Sequence, residues 1–267
     1  MTPVAGRAWR RRWIVAGDLV LALVWRMVRA RYLGTAGGVV WLFVQPLTQI
    51  LIYWVVFSVG FRVRGPSGEP YILFFVTGFV PWVFFQEAMT AGSSAVTSAP
   101  HLVRKTAFPT ILLPPAAVFS AAVTHCLILP IVVVLLTVSG RPPSLTIVAT
   151  AYYLGALTAF ALGLAWIAAS LQVYFRDIGP ILAVILGAWF WLTPVAWPPS
   201  LLEDVFSPWM TINPLTYIVN GYRDSLLLGR WPTLDLAALV FWAEALAALA
   251  LGRLAFRRLR GGFAEVI

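Results

Sequence analysis

Residues 127–138 read LILPIVVVLLTV, twelve positions with one threonine, one proline and no charge. A barrel strand in a membrane alternates lipid-facing and lumen-facing residues over ~10 positions. This run does not alternate, so its backbone is expected to satisfy its own hydrogen bonds as a helix. A helix that crosses a ~30 Å hydrocarbon core needs ~20 mostly apolar residues, and working outward from 127–138 the apolar stretch fills 111–138. The same criterion picks out six spans, at roughly 36–60, 71–96, 111–138, 146–171, 179–197 and 234–256, separated by proline, glycine or charge clusters. Composition agrees: 61% of the 267 residues are hydrophobic and 11% charged, and the mean hydropathy is +0.87. Those values exclude an ordinary soluble globule. The expected fold class is an all-α integral membrane protein, with residues 36–256 as one domain of six transmembrane helices. No internal repeat or low-complexity linker divides it.

Basic residues set the orientation. With six spans, both termini and the loops after spans two and four share one side. Residues 1–35, the Arg104-Lys105 pair, Arg176 and residues 253–260 put 14 of the 19 basic groups there. That side is expected to be cytoplasmic, so the net charge of +9 describes topology rather than a nucleic-acid partner, which would need a soluble basic face with aromatic platforms. The first 35 residues are Arg-rich and contain no short apolar core followed by a small-residue cleavage site. They read as a cytoplasmic N-terminus, and residues 257–267 as a cytoplasmic tail. Cys126, the single cysteine, lies within span three, excludes an intrachain disulfide and reads as packing.

Several segments depart from the plain span pattern. DLVLALVWRMVRARYL (18–33) places Asp18, Ala22, Arg26 and Arg29 on one face and aliphatic residues on the rest. This is the pattern of an amphipathic helix lying in the interface, with Arg26 and Arg29 reaching lipid phosphates and the apolar side among acyl chains; an ordinary basic anchor fits the same residues. Span one carries Gln45, Pro46, Thr48 and Gln49. Amides are costly in hydrocarbon, so this face is expected to look into the bundle, and Pro46 to kink the helix. Glu87 in span two and Glu244 in span six are intramembrane carboxylates, open to either a functional or a merely paired role. From 198 to 231, two short amphipathic pieces broken by Pro208, Pro214 and Gly221 are too short to span. They read as two re-entrant helices at about 199–230, bordering a route on the outer side.

Enzyme chemistry finds little support. His101 lies in a cytoplasmic loop and His125 in span three, neither with partners at metal-ligand spacing. GxSxG, HExxH and CxxC do not occur. The phosphate-cradling GxxxxGK[ST] is also absent, because Arg104 stands where its second glycine would precede Lys105-Thr106. Energy for uphill transport must therefore come from a partner or an ion gradient. Between spans two and three, RKTAFPTILLPP (104–115) holds the chain's sole lysine. Together with His101, Leu102, Val103 and Phe108 it can form a short helix along the membrane surface that faces a soluble neighbour, or it can be a basic helix stop.

PHLVRKTAFPTILLP (100–114), preceded by GFVPWVFFQEAM (78–89), resembles the membrane subunits of bacterial polysaccharide ABC exporters, which include O-antigen and teichoic-acid export permeases. RARYLGTAGGVVWLFVQPL (29–47), VYFRDIGPIL (173–182), TPVAWPPSLL (193–202), NPLTYIVNGYRD (213–224) and FAEVI (263–267) agree, in order, over nearly the whole chain. The resemblance implies a permease and no enzyme: a homodimer in the bacterial inner membrane, joined to two copies of a separate ATPase that binds ATP and Mg, with no cofactor in this chain. It makes 98–109 a coupling helix, with His101, Leu102, Val103, Arg104, Lys105 and Phe108, and Arg176 and Asp177 in the next cytoplasmic loop, meeting that ATPase. It makes Asn213, Pro214, Tyr217, Tyr222, Arg223 and Asp224 an outer gate.

The cargo it implies is a lipid-linked polysaccharide, and the aromatic content suits one. Sugar rings present C–H faces that slide on aromatic planes, so Trp41, Tyr53, Phe79, Trp82, Phe85, Trp189 and Trp191, with Glu87, are the channel candidates. Interfacial belts and packing use the same residue types. Other readings keep the architecture with teichoic acid, a small lipid or a drug as cargo, or replace ATP with ion coupling through Glu87 or Glu244.

Overall fold

The computed structural model describes residues 17–30, 37–38, 40–66, 68–104, 108–199 and 209–267. Among these the secondary structure is helical, apart from an isolated bridge between Arg64 and Pro70. Helix α1 covers 17–30. It is followed by α2 (Val40–Tyr53), α3 (Tyr71–Ser94), the single turn α4 (Pro100–Val103), α5 (Leu113–Val138) and α6 (Ala149–Tyr174). Next come α7 (Ile178–Leu192), α8 (Pro214–Arg223), α9 (Leu236–Leu259) and the short α10 (Phe263–Val266).

Five of these elements are long and apolar enough to cross a membrane. At ~1.5 Å per residue the 24 residues of α3 reach about 36 Å. The expected fifth span is shorter than anticipated: α7 has 15 residues, about 22 Å of helix. Thr193 leaves the helix in extended conformation before Pro194, whose ring disfavours helical geometry at the residue preceding it. The first span continues beyond Tyr53 as a π-helix over Trp54–Gly60, an irregularity that periodicity alone does not signal.

The bundle has a centre and two outlying helices. α3 is almost wholly buried, packed between α5 and α6, while α9 lies along α6. Small residues permit these approaches, as they do where helices meet in lipid. Gly163 on α6 meets the backbone of Ala248 and Leu249 on α9, and Gly252 meets the carbonyl of Gly163. α2 and α7 instead lie at the periphery, with long exposed apolar faces. Exposed aliphatics such as Val134, Val184 and Leu246 continue around the bundle, the surface expected of helices whose surroundings are lipid.

α1 differs from its expected setting. Leu23, Val24 and Val28 are buried, and Leu19, Val20 and Met27 pack beside them, in a cluster that also holds Val103, Leu113, Val173, Phe256 and Phe263. The apolar face therefore docks on one end of the bundle instead of on acyl chains, while Leu21 and Trp25 point outward. Protein interior and lipid are equally apolar, so a helical wheel could not separate the two.

Candidate functional site

Chemically distinctive groups gather at the two ends of the bundle and on α2. At the end built on α1, Pro100 opens α4 at its first turn, where its missing N–H costs nothing. His101 and Arg104 are exposed there, and Leu102 and Phe108 are half-buried. Val103 is buried in the α1 cluster, so it anchors the turn and is covered from outside. Arg26 Nη2 on α1 approaches His101 Nε2 at 3.4 Å, tying the amphipathic helix to α4. Arg29 lies over the Trp25 ring, 5.5 Å from its centre. Arg104 donates to the backbone carbonyl of Ile267 at 2.9 Å. A cavity of about 370 Å³ beside it is walled by Thr97, Pro100, Gln172, Val173, Arg176, Val266 and Ile267. Arg176 thus joins the α4 region across 72 residues of sequence, and Asp177 is exposed next to it. Lys105, with residues 106 and 107, lies outside the described residues. The packing of FAEVI against this end was not foreseen from the sequence.

The channel candidates divide in two. Phe79, Trp82 and Phe85 are buried within the chain: Phe79 stacks on Phe75 at 4.9 Å, Trp82 meets Phe190 edge-on at 5.3 Å, and Phe85 meets Trp189 at 5.4 Å. Rings so enclosed are core in this conformation. Tyr53 joins them, stacked on Phe75 at 4.6 Å. Trp41 and Trp191, by contrast, are 57% and 53% exposed. On α2 the residues Trp41, Gln45, Thr48, Gln49 and Ile52 are all exposed. That reverses the expectation that the amides look inward, because Phe43, Ile50 and Tyr53 on the opposite side make the contacts with the core. Thr48 meets its own need by donating to the Val44 carbonyl at 2.7 Å. Glu87 and Glu244 are half-buried.

At the far end, α8 is held by a polar network. Asn213 caps it by accepting from the Leu215 N–H at 3.1 Å, and its Oδ1 also accepts from Trp189 Nε1 at 3.0 Å. The Asn213 amide nitrogen donates to Thr193 Oγ1 at 3.0 Å, so one buried side chain joins the exit of α7 to the start of α8. Pro214 takes the first helical turn. Tyr217 and Tyr152 share a hydrogen bond of 3.0 Å, to which Trp242 of α9 adds one of 2.9 Å onto Tyr152. Tyr222 pairs with His125 of α5 at 2.9 Å. Arg223 donates to the carbonyls of Phe74 and Val195 at 3.3 and 2.9 Å, and its guanidinium lies 3.7 Å from the Phe74 ring centre. Asp224 faces Arg230 at 3.7 Å, and partial burial raises its pKa against the pull of that arginine. The left-handed Gly229 ends the segment. Residues 200–208, part of the anticipated first re-entrant piece, lie outside the described residues. His125 and Tyr152 were not recognised as neighbours of this end, because their partners are 65 or more residues distant and no local pattern marks them.

The family described as "ABC-2 type transporter" matches residues 18–227. The chain is similar to an O-antigen export system permease protein RfbA of Myxococcus xanthus, 31% identical over 216 residues that make up 80% of this chain and 82% of that protein. It is also similar to an RfbA protein of Klebsiella pneumoniae, 27% identical over 252 residues, 94% of this chain and 95% of the relative. Another RfbA protein of Klebsiella pneumoniae is 24% identical over 258 residues.

Proposed function

The chain belongs to the ABC-2 type transporter family and is the membrane subunit of an ABC exporter, from which we propose a finer reading: two copies, joined to two copies of a separate ATPase, carry a lipid-linked polysaccharide of the O-antigen class outward across the bacterial inner membrane. The carrying observation is the near full-length likeness to relatives named for O-antigen export. The geometry supports a paired assembly. Amides in hydrocarbon cost free energy unless they meet a polar partner or water, and Gln45 and Gln49 lie exposed on α2 beside Trp41. A second copy facing α2 would close a wet, aromatic-edged route around them, with Trp191 on α7 as a further exposed ring. The buried rings Phe79, Trp82 and Phe85 then stiffen the wall instead of touching cargo.

In this reading the end built on α1 and α4 faces the cytoplasm and meets the ATPase through exposed His101, Arg104, Arg176 and Asp177. ATP and Mg bind to the partner, and the permease responds by shifting between two packings favoured by different contacts. The test is co-purification and export. The wild-type chain is expected to retain a P-loop ATPase in fixed ratio, and Arg104→Glu combined with Lys105→Glu is expected to release it and stop export while the bundle stays folded. A chain that purifies alone and exports on a proton gradient overturns the proposal.

A further inference from the structure

Two adjoining cavities occupy the end of the bundle held by α8. The larger, about 370 Å³, has Tyr153, Thr216, Tyr217, Trp231 and Asp235 in its wall. The smaller, about 240 Å³, has Glu69, Phe74, Arg223 and Leu228. Pro199, Asn220 and Asp224 belong to both, so the end of α8 and the turn after it lie between the two spaces. Thr216 and Asn220 are four residues apart and share a face of α8, and Asp224 follows at the start of the π-helical turn that continues it. The combined size falls in the ~300–1,000 Å³ range usual for small-ligand sites.

The walls discriminate among ligands. Glu69 and Arg223 are 3% and 6% exposed, and each keeps a buried polar atom, Oε2 and Nη1, without a hydrogen-bond partner; Thr216 Oγ1 is in the same position. Unpartnered buried groups of this kind are unfavourable until a ligand supplies the missing hydrogen bond. Here an acceptor and a donor, Glu69 and Arg223, border the smaller cavity, and the Thr216 hydroxyl borders the larger. A phosphate or carboxylate entering it would meet Glu69 and Asp224. A cation would meet Arg223, and among the described residues no cluster of three His, Cys, Asp or Glu side chains could hold a metal. Neighbouring hydroxyls, each of which donates and accepts at once, answer Glu69 and Arg223 in the smaller cavity and Thr216 in the larger. Trp231 and Tyr217 add aromatic faces suited to the C–H side of a sugar ring.

We propose that this double cavity is an extracytoplasmic saccharide subsite, binding a neutral pyranose with neighbouring hydroxyls and holding the glycan as it leaves the membrane. The proposal rests on the glycan-export reading and specifies where, on this chain, the cargo is recognised.

The experiment uses the full chain with its ATPase in lipid nanodiscs. Methyl mannopyranoside, methyl galactopyranoside and methyl N-acetylglucosaminide are the probes, followed by saturation-transfer NMR. At least one probe is expected to bind saturably, without competition from inorganic phosphate or glucuronate. Asn220→Ala with Asp224→Asn is expected to weaken it about tenfold, the equivalent of ~1.4 kcal/mol, with the unfolding temperature retained. Leu228→Trp, which fills the smaller cavity from a half-exposed position, is expected to do the same without removing a polar group. Failure of all three probes, equal binding by both variants, or displacement by phosphate overturns the subsite. Each of those results leaves the transport reading intact if the ATPase still co-purifies and glycan is exported, whereas a missing ATPase defeats that reading whatever the sugars do.

Discussion

Gly252→Ala, a change of one methyl group, should loosen the whole bundle. A Cβ there would press on the Gly163 carbonyl, well inside van der Waals contact, and a Cβ at Gly163 would lie 2.6 Å from the Ala248 oxygen, where 3.4 Å is ordinary. Both obstacles are backbone, so no side chain can swing aside and α6 must part from α9. Overpacking of this kind costs ~1–3 kcal/mol. Alanine recovers at most ~1 kcal/mol through its better helix propensity, so the net effect is a loss of up to about 2 kcal/mol. Gly155, on the same α6, is the internal control, since a Cβ there meets nothing within 4 Å. Gly155→Ala should therefore gain up to ~1 kcal/mol from propensity alone. Thermal unfolding of the purified chain in one detergent, with the three proteins side by side, reads the difference. If Gly252→Ala unfolds at or above the wild-type temperature, the backbone-to-backbone approach of α6 and α9 is not what holds this pair together.

Asn213→Ala removes a cap and leaves Trp189 and Thr193 short of a partner; a loss of about 2–4 kcal/mol follows from the two effects, and near-wild-type unfolding would show that α8 is held elsewhere. Tyr222→Phe breaks the bond to His125 and should cost about 1–3 kcal/mol by leaving a buried ring nitrogen unsatisfied, with His125→Phe added to Tyr222→Phe recovering part of it in the same melt. If the driving force enters through an ATPase partner, as proposed, Glu87→Gln and Glu244→Gln should each retain export in vesicles supplied with ATP; loss of export in a folded variant would favour ion coupling.

How much could be read before folding depends on the kind of interaction. The exposed end that carries His101 and Arg104 stood out in sequence because its charge lies between apolar flanks. The Tyr222–His125 and Asn213–Trp189 pairs were not, since each joins residues distant in sequence and identical in type to ordinary interfacial side chains. Aromatic residues were visible as a supply but not as a location: Trp41 and Phe85 look alike in a list, yet one is exposed and the other sealed among rings.

Sequence by itself determined that the chain is a multi-span helical membrane protein without its own nucleotide motif, because apolar length and self-satisfied backbone leave no other arrangement in lipid. Tertiary structure alone decided which faces are inside. In lipid both the core and the surroundings are apolar, so hydrophobicity stops marking the interior, and small residues such as Gly163 and Gly252, with polar ties such as Asn213, choose the packing instead.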